Sequence, residues 1–210
     1  MITLTRPTER GLDKYLAAHH NSLFSYTTVG ATRHEPPNGF DIDRHRVFLG
    51  HGRADFERAK DALRAWRMIP AAIGAVYTGD SPLTPGAEVA LLLRAPFTWW
   101  TNAARIVYTF DGPAPTSGIE RFGFAYGTLQ DHVECGEERF TVEWRADDDS
   151  VWYELLAFSR PRHWLARLGY YFVRRAQARF RRLSGIAMQR AVNEAAAIPE
   201  TPEAAPCTTS

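Results

Sequence analysis

Hydrophobic positions keep a helical rhythm near both ends of the chain and a strand rhythm through its middle. Over 8–19, Leu12, Tyr15 and Leu16 recur at spacings of three and four, which predicts a short helix. From 21 to 41 the composition turns to Gly, Pro, Ser and Thr, and Pro36-Pro37-Asn38-Gly39 predicts a loop. A strand over 44–49 leads into a helix over 54–68, in which Phe56, Ala59, Leu63 and Trp66 share a face. Asp55 and Glu57 sit in its first turn, where the helix dipole favours acids. After Pro70 the period becomes two, and strands are predicted over 75–78, 88–94, 105–110, 122–128, 139–144 and 151–158. Their short connections favour an antiparallel meander.

The last element is a long helix over 162–192. Leu165, Leu168, Phe172, Ala176, Phe180, Leu183 and Ala187 form its apolar stripe, with Gly169 and Gly185 each weakening it by roughly 1 kcal/mol. An antiparallel sheet of this size has one face to cover, and this helix is the long amphipathic element available to cover it. The expectation is therefore α+β, a curved antiparallel sheet of about seven strands wrapped around the C-terminal helix. A cavity remains between them wherever the facing side chains are too small to fill it. The chain divides into an N-terminal helix and loop (1–41) packed on the domain, the sheet-and-helix domain (42–192), and a tail (193–210) expected to be disordered for want of anything to bury.

Composition narrows the function classes. A net charge of +1 over 210 residues argues against a general electrostatic nucleic-acid binder. Two cysteines, Cys135 and Cys207, make no disulfide framework, and no stretch reaches the roughly 20 apolar residues of a membrane-spanning helix. With no signal-like N-terminus, a soluble cytoplasmic protein without integral membrane insertion is expected. The charge is uneven: 160–192 holds nine arginines and no acid, whereas 1–159 holds 16 Lys and Arg against 21 Asp and Glu. The expected use of those arginines is a solvated face that pairs with the acidic sheet, with an anionic membrane as the sharper alternative.

The densest stretch runs from Phe122 to Phe140. Gly123, Ala125 and Gly127 share one face of a strand, allowing close approach of another backbone, of the C-terminal helix or of a ligand. His132 and Glu134 lie two apart, a spacing at which a carboxylate can orient a histidine for acid–base work. No second cluster has ligand spacing, so no metal is expected. Glu143 reads as part of a solvent face; Glu154 shares its face with Trp152, Leu156 and Phe158, so it is either wet or paired, an arginine of the helix being the expected partner. Trp99 and Trp100 suit a pocket mouth or a plug at the end of the core. Nucleophile elbow, phosphate loop and dinucleotide fingerprint are all missing, so no cofactor is expected.

Several blocks together resemble one family. Val29-Gly30-Ala31-Thr32-Arg33, the stretch 46–52, Phe122 to Leu129, Gly136 to Phe140 with Val142-Glu143, and 157–161 followed by 165–170 are similar to the DUF1990 (UPF0548) family, from about Tyr26 to Met188. That resemblance implies a helix-grip fold of the START-like (SRPBCC) superfamily, whose members hold lipids, sterols, polyketides and other apolar molecules between sheet and helix. The first expectation is thus a protein that binds a small apolar ligand, lipid- or polyketide-like. Trp100, Tyr126 and Tyr153 would line the pocket, and Arg33, Arg105 and His132 would make polar contacts. The alternative is an enzyme in the same pocket, performing cyclisation, dehydration or hydrolysis, with His132 as acid or base and Glu134 or Glu154 orienting it. The sequence sets no oligomeric state.

Overall fold

The computed structural model describes residues 1–116, 118–132, 134–161 and 170–197. In chain order the elements are β1 (Ile2–Thr3), α1 (Glu9–His19), β2 (Asp41–His51), α2 (Gly52–Arg64), β3 (Gly74–Tyr77), β4 (Glu88–Arg94), β5 (Trp99–Pro113), β6 (Ile119–Thr128), β7 (Glu134–Arg145), β8 (Ser150–Pro161) and α3 (Tyr170–Ala196). The strands form one antiparallel sheet in the order β2-β8-β7-β6-β5-β4-β3, and β1 pairs with β5. The meander therefore runs unbroken from β3 to β8, and β2 closes it by lying against the last strand. A bulge slips the β2–β8 register between Phe48 and Gly50.

The inner face of this sheet carries both long helices. Phe56, Ala59, Leu63 and Met68 from the α2 region meet Phe124, Phe140, Val142, Tyr153 and Leu155 from the strands and Met188 and Val192 from α3. Asp55 reaches back from the first turn of α2 and accepts the His51 N–H at 2.9 Å, a side-chain cap on that helix. The helix ends at Arg64, earlier than its periodicity suggests. Trp66 adopts φ 56°, a left-handed turn that folds the indole back onto Phe124, with ring centroids 4.8 Å apart.

The described part of α3 packs with a stripe turned slightly from the expected one. Ser184, Gly185, Met188, Ala191 and Val192 are its buried positions, while Phe180 packs partly against the core. Gly185 faces His45 and Val47 of β2, so the missing side chain lets helix and strand approach closely. Two of the helix arginines serve the sheet: Arg174 grips Asp43 with both terminal nitrogens at 2.7 Å, and Arg181 reaches the same carboxylate at 2.6 Å. The helix start at 162 and the positions Leu165, Leu168 and Gly169 lie outside the described residues, as do 198–210 of the expected tail.

The outer face is covered by the N-terminal segment. Helix α1 sets Leu12 against Ala90 and Leu92, and Tyr26 packs with Cys135 and Phe158. The Gly123–Ala125–Gly127 face lies on this side and not under α3. A Cβ at Gly127 would overlap the Tyr26 hydroxyl. That hydroxyl instead donates to Glu137 at 2.8 Å. Glu137 also accepts from the backbone N–H groups of Gly30 (2.7 Å) and Thr32 (3.0 Å) and from the Thr32 hydroxyl, so one buried carboxylate organises the whole turn before β2. Gly30 takes φ 88° there, a conformation open to glycine.

Candidate functional site

A cavity of about 460 Å³ lies between the inner face of the sheet, the connection 69–73 and the N-terminal half of α3. Small and aliphatic side chains leave it open. Ala72, Ala75 and Ala157 stand where larger residues would reach α3, and Leu91, Leu93, Leu155 and Phe180 supply apolar wall. The wall is mostly apolar; its polar groups come chiefly from β7 and the helix facing it, with Asp43 of β2, Arg94 of β4, Thr128 of β6 and Ser159 of β8 adding to them.

Alternation puts Glu134, Gly136 and Glu138 of β7 on the cavity side. Glu138 lies directly across from Tyr126 on β6, and the phenol donates to its Oε2. Burial raises the Glu138 carboxyl to about 7; Glu134 and Asp43 add to the rise, while the Tyr126 hydrogen bond and Arg181 oppose it. Glu134 accepts from Gln177 Nε2 of α3 at 3.0 Å, and burial raises its pKa as well. Tyr126 is held protonated, pushed well above its ordinary value by burial and by Glu138.

His132 contributes to the same wall from the turn between β6 and β7 and is only 7% exposed. Its Nδ1 accepts the backbone N–H of Glu134 at 3.0 Å, so in the neutral ring the proton sits on Nε2. Burial lowers its pKa to about 4, which leaves it uncharged at neutral pH. The spacing of His132 and Glu134 had suggested a carboxylate orienting an imidazole. The contact present is to the backbone of Glu134, and its side chain turns to the helix.

Of the residues singled out from sequence, Trp100, Tyr126, His132 and Glu134 meet around this cavity. The other four lie elsewhere. Tyr153 is buried beneath α3, its hydroxyl 2.7 Å from Ser184 Oγ. Arg105 binds Glu88 at 2.7 Å and the His20 carbonyl at 2.8 Å. Glu154 accepts from Arg139 at 2.5 Å, a partner from the neighbouring strand where one from the helix was expected. Arg33 lies over the Tyr108 ring, 4.2 Å from its centroid, in a separate open groove formed with Thr28, Gly30 and His34. Glu138, Gln177 and Asp43 belong to the cavity and escaped the sequence reading. The pairing of Tyr126 with Glu138 follows once the β6–β7 hairpin is centred on residue 132, which was the available signal.

Glu138 and His132 have opposite linkage to stability. Glu138 binds its proton more tightly folded, about 7 against an ordinary 4.5, so its contribution declines as pH rises through that window. His132, at about 4 against 6.5, contributes stability that grows from pH 4 to 6.5. Glu138→Gln removes only the first. It is expected to exceed the wild type by about 2–3 kcal/mol in urea unfolding near pH 8, the advantage shrinking below about pH 5. An advantage of the same size at both pH values would contradict the assignment.

Among the described residues no group of three or more His, Cys, Asp or Glu side chains is placed to hold a metal ion, and no helix is long and apolar enough to cross a membrane. One antiparallel sheet holding a helix on its inner face, with an apolar cavity between, is a helix-grip arrangement. The chain belongs to the DUF1990 family, described as a domain of unknown function, whose sequence profile matches residues 25–187. A UPF0548 protein of Dictyostelium discoideum is 33% identical over 196 residues, covering 86% of this chain and 90% of that protein. One from Arabidopsis thaliana is 34% identical over 159 residues, covering 74% of this chain and 75% of its own length. Among solved structures, a hypothetical protein of Helicobacter pylori shares the fold at 14% identity with a TM-score of 0.52, covering 78% of this chain and 96% of that one.

Proposed function

We propose that this protein binds one small, largely apolar molecule in the cavity between β7, β8 and α3, as a carrier or sensor. The observation that carries this reading is the 460 Å³ space between sheet and helix, walled by Ile69, Leu91, Leu155 and Phe180 with a limited set of polar side chains among them. Such a space suits an apolar body whose single polar end faces Glu134, Glu138 and His132. Protein isolated from a cell lysate without detergent, then denatured in organic solvent, should release close to one equivalent of such a compound to mass spectrometry. An empty extract, together with failure to bind a neutral apolar dye, would count against it.

A second reading rests on one observation, the Glu138 carboxyl held near 7 on the cavity wall beside Tyr126. A carboxyl with that pKa takes and returns protons at neutral pH, as a cyclisation, dehydration or hydrolysis requires. Returning the released compound to the empty protein separates the two: a binder gives it back unchanged, an enzyme yields a new mass that Glu138→Gln does not produce.

A further inference from the structure

The cavity reaches solvent between β4 and α3. Of the residues lining it, Ala72 of the 69–73 connection, Leu93 and Arg94 of β4, and Ala176 and Arg179 of α3 are exposed, and the rest are half-buried or buried. Those five set a mouth that carries two arginines and no acid. Beside it the chain turns sharply: Ala95 and Thr98 exchange backbone hydrogen bonds of 2.9 and 3.4 Å, closing a two-residue loop of Pro96 and Phe97. Trp100 Nε1 ties the loop further by donating to Thr98 Oγ1 at 2.9 Å. A short, braced loop therefore holds Phe97 in water, 86% exposed.

β1 brings more apolar surface to the same corner. Ile2 and Leu93 lie on either side of Trp100 in register, and Thr3 and Arg94 on either side of Trp99. Ile2 is 60% and Leu4 82% exposed, so Phe97 and Leu4 are the two most exposed large apolar side chains among the described residues. Arg6 lies over the Trp99 ring, 5.9 Å from its centroid. The stretches 1–8 and 89–102, which build this corner, hold two arginines and no Asp or Glu. Asp131, the acid whose charge is felt at Met1, faces His19 Nε2 at 3.3 Å. Grouped apolar side chains at a surface mark a place where something docks, and the cations around them say what. An anionic bilayer meets both demands, its headgroups taking the arginines and its acyl region the apolar side chains. We infer that this corner docks on an anionic lipid bilayer: Phe97 and Leu4 enter the boundary between headgroups and acyl chains, and Arg6, Arg94 and Arg179 meet lipid phosphates. The docking stands on this surface alone. Its use rests on the proposed binding function, since the cavity mouth then faces the membrane and an apolar ligand passes between the two without crossing water.

The test is flotation of the full chain with phosphatidylcholine vesicles, pure or with about 30 mol% phosphatidylglycerol, in about 0.1 M salt. Binding to the anionic vesicles should be at least about 10-fold tighter than to the pure ones. Phe97→Ser and Arg94→Glu, both at exposed positions, should each weaken it by about 10-fold. Two controls lie away from the corner: Phe48→Ser on β2 and Arg190→Glu near the far end of α3, each exposed and each expected to change binding by less than about 2-fold. No vesicle binding, equal binding to both vesicle types, or losses as large in the controls would overturn the inference. So would a dimer in sedimentation that Phe97→Ser returns to monomer, because the corner would then belong to a second copy of this chain. Uptake of the neutral dye N-phenyl-1-naphthylamine, measured without vesicles, keeps the two proposals apart. Dye bound without vesicle binding removes the docking and leaves the cavity's function; vesicles bound without dye uptake does the reverse.

Discussion

Glu137→Gln is expected to lower the stability of the fold by about 2–4 kcal/mol, although the change keeps the shape of the side chain. Both carboxylate oxygens of Glu137 accept: Oε2 from Tyr26 and Gly30, Oε1 from the backbone and hydroxyl of Thr32. Glutamine must present an NH2 to one of these pairs of donors, so at least one buried N–H or O–H is left facing another donor. Amide rotation cannot rescue it, because the two ends are equally occupied by donors. Glu143→Gln is the control on the same strand and the same face: its partner Arg46 lies at 3.2 Å in a partly exposed pair, and the cost there is about 0–1 kcal/mol. Urea denaturation of the two variants checks the contrast. Equal losses would mean that the turn over Tyr26–Thr32 is not organised by Glu137.

Ala157→Trp is expected to abolish uptake of apolar ligands, raising the concentration needed for half-saturation by about 100-fold or more. Ala157 sits on β8 between Asp43 of β2 and Glu138 of β7 in the register, and its methyl borders the cavity. An indole there projects into empty space instead of into packed core, so the added volume is accommodated at the expense of the ligand. The measurement is dye binding beside thermal unfolding: binding disappears while the transition stays cooperative and shifts by no more than a few degrees. Undiminished dye binding by a folded Ala157→Trp would locate the ligand elsewhere, with the Arg33–Tyr108 groove the next place to look.

The strands are legible where runs of bulky apolar residues are bounded by turn signals, as at Glu88–Arg94 and Ser150–Pro161, both of which bury residues on either face. Alternation predicts them too short where both faces carry polar groups. β7 begins at Glu134, five residues before the alternation becomes visible, because Glu137 is satisfied by the N-terminal turn and Glu138 by Tyr126. A run of acids looks like a loop until its donors are in view, those of Glu137 some hundred residues away and that of Glu138 on the neighbouring strand. β5 likewise starts at Trp99, and its Thr101-Asn102-Ala103-Ala104 stretch lacks the bulky residues that advertise a strand. The glycine face of β6 announced a close approach, yet nothing local could say that the approaching group would be the hydroxyl of Tyr26. For the cavity, the aromatic Trp100 and Tyr126 were visible as large residues in strands, whereas Gln177 and Asp43 matter only through the helix-to-sheet contact that joins them.

The order of the strands has a consequence for the rim of the sheet. Its outermost strands are β2 and β3, the two places where another chain could add a strand of its own. β3 is four residues long, too brief to template a stable pairing. β2 is longer, but it carries Asp41, Asp43, Arg44 and Arg46 and is kinked by the bulge at Phe48–Gly50. Charge and a broken ladder both discourage edge-to-edge association, so a meander that leaves its sheet open at both sides still resists growing into a fibre.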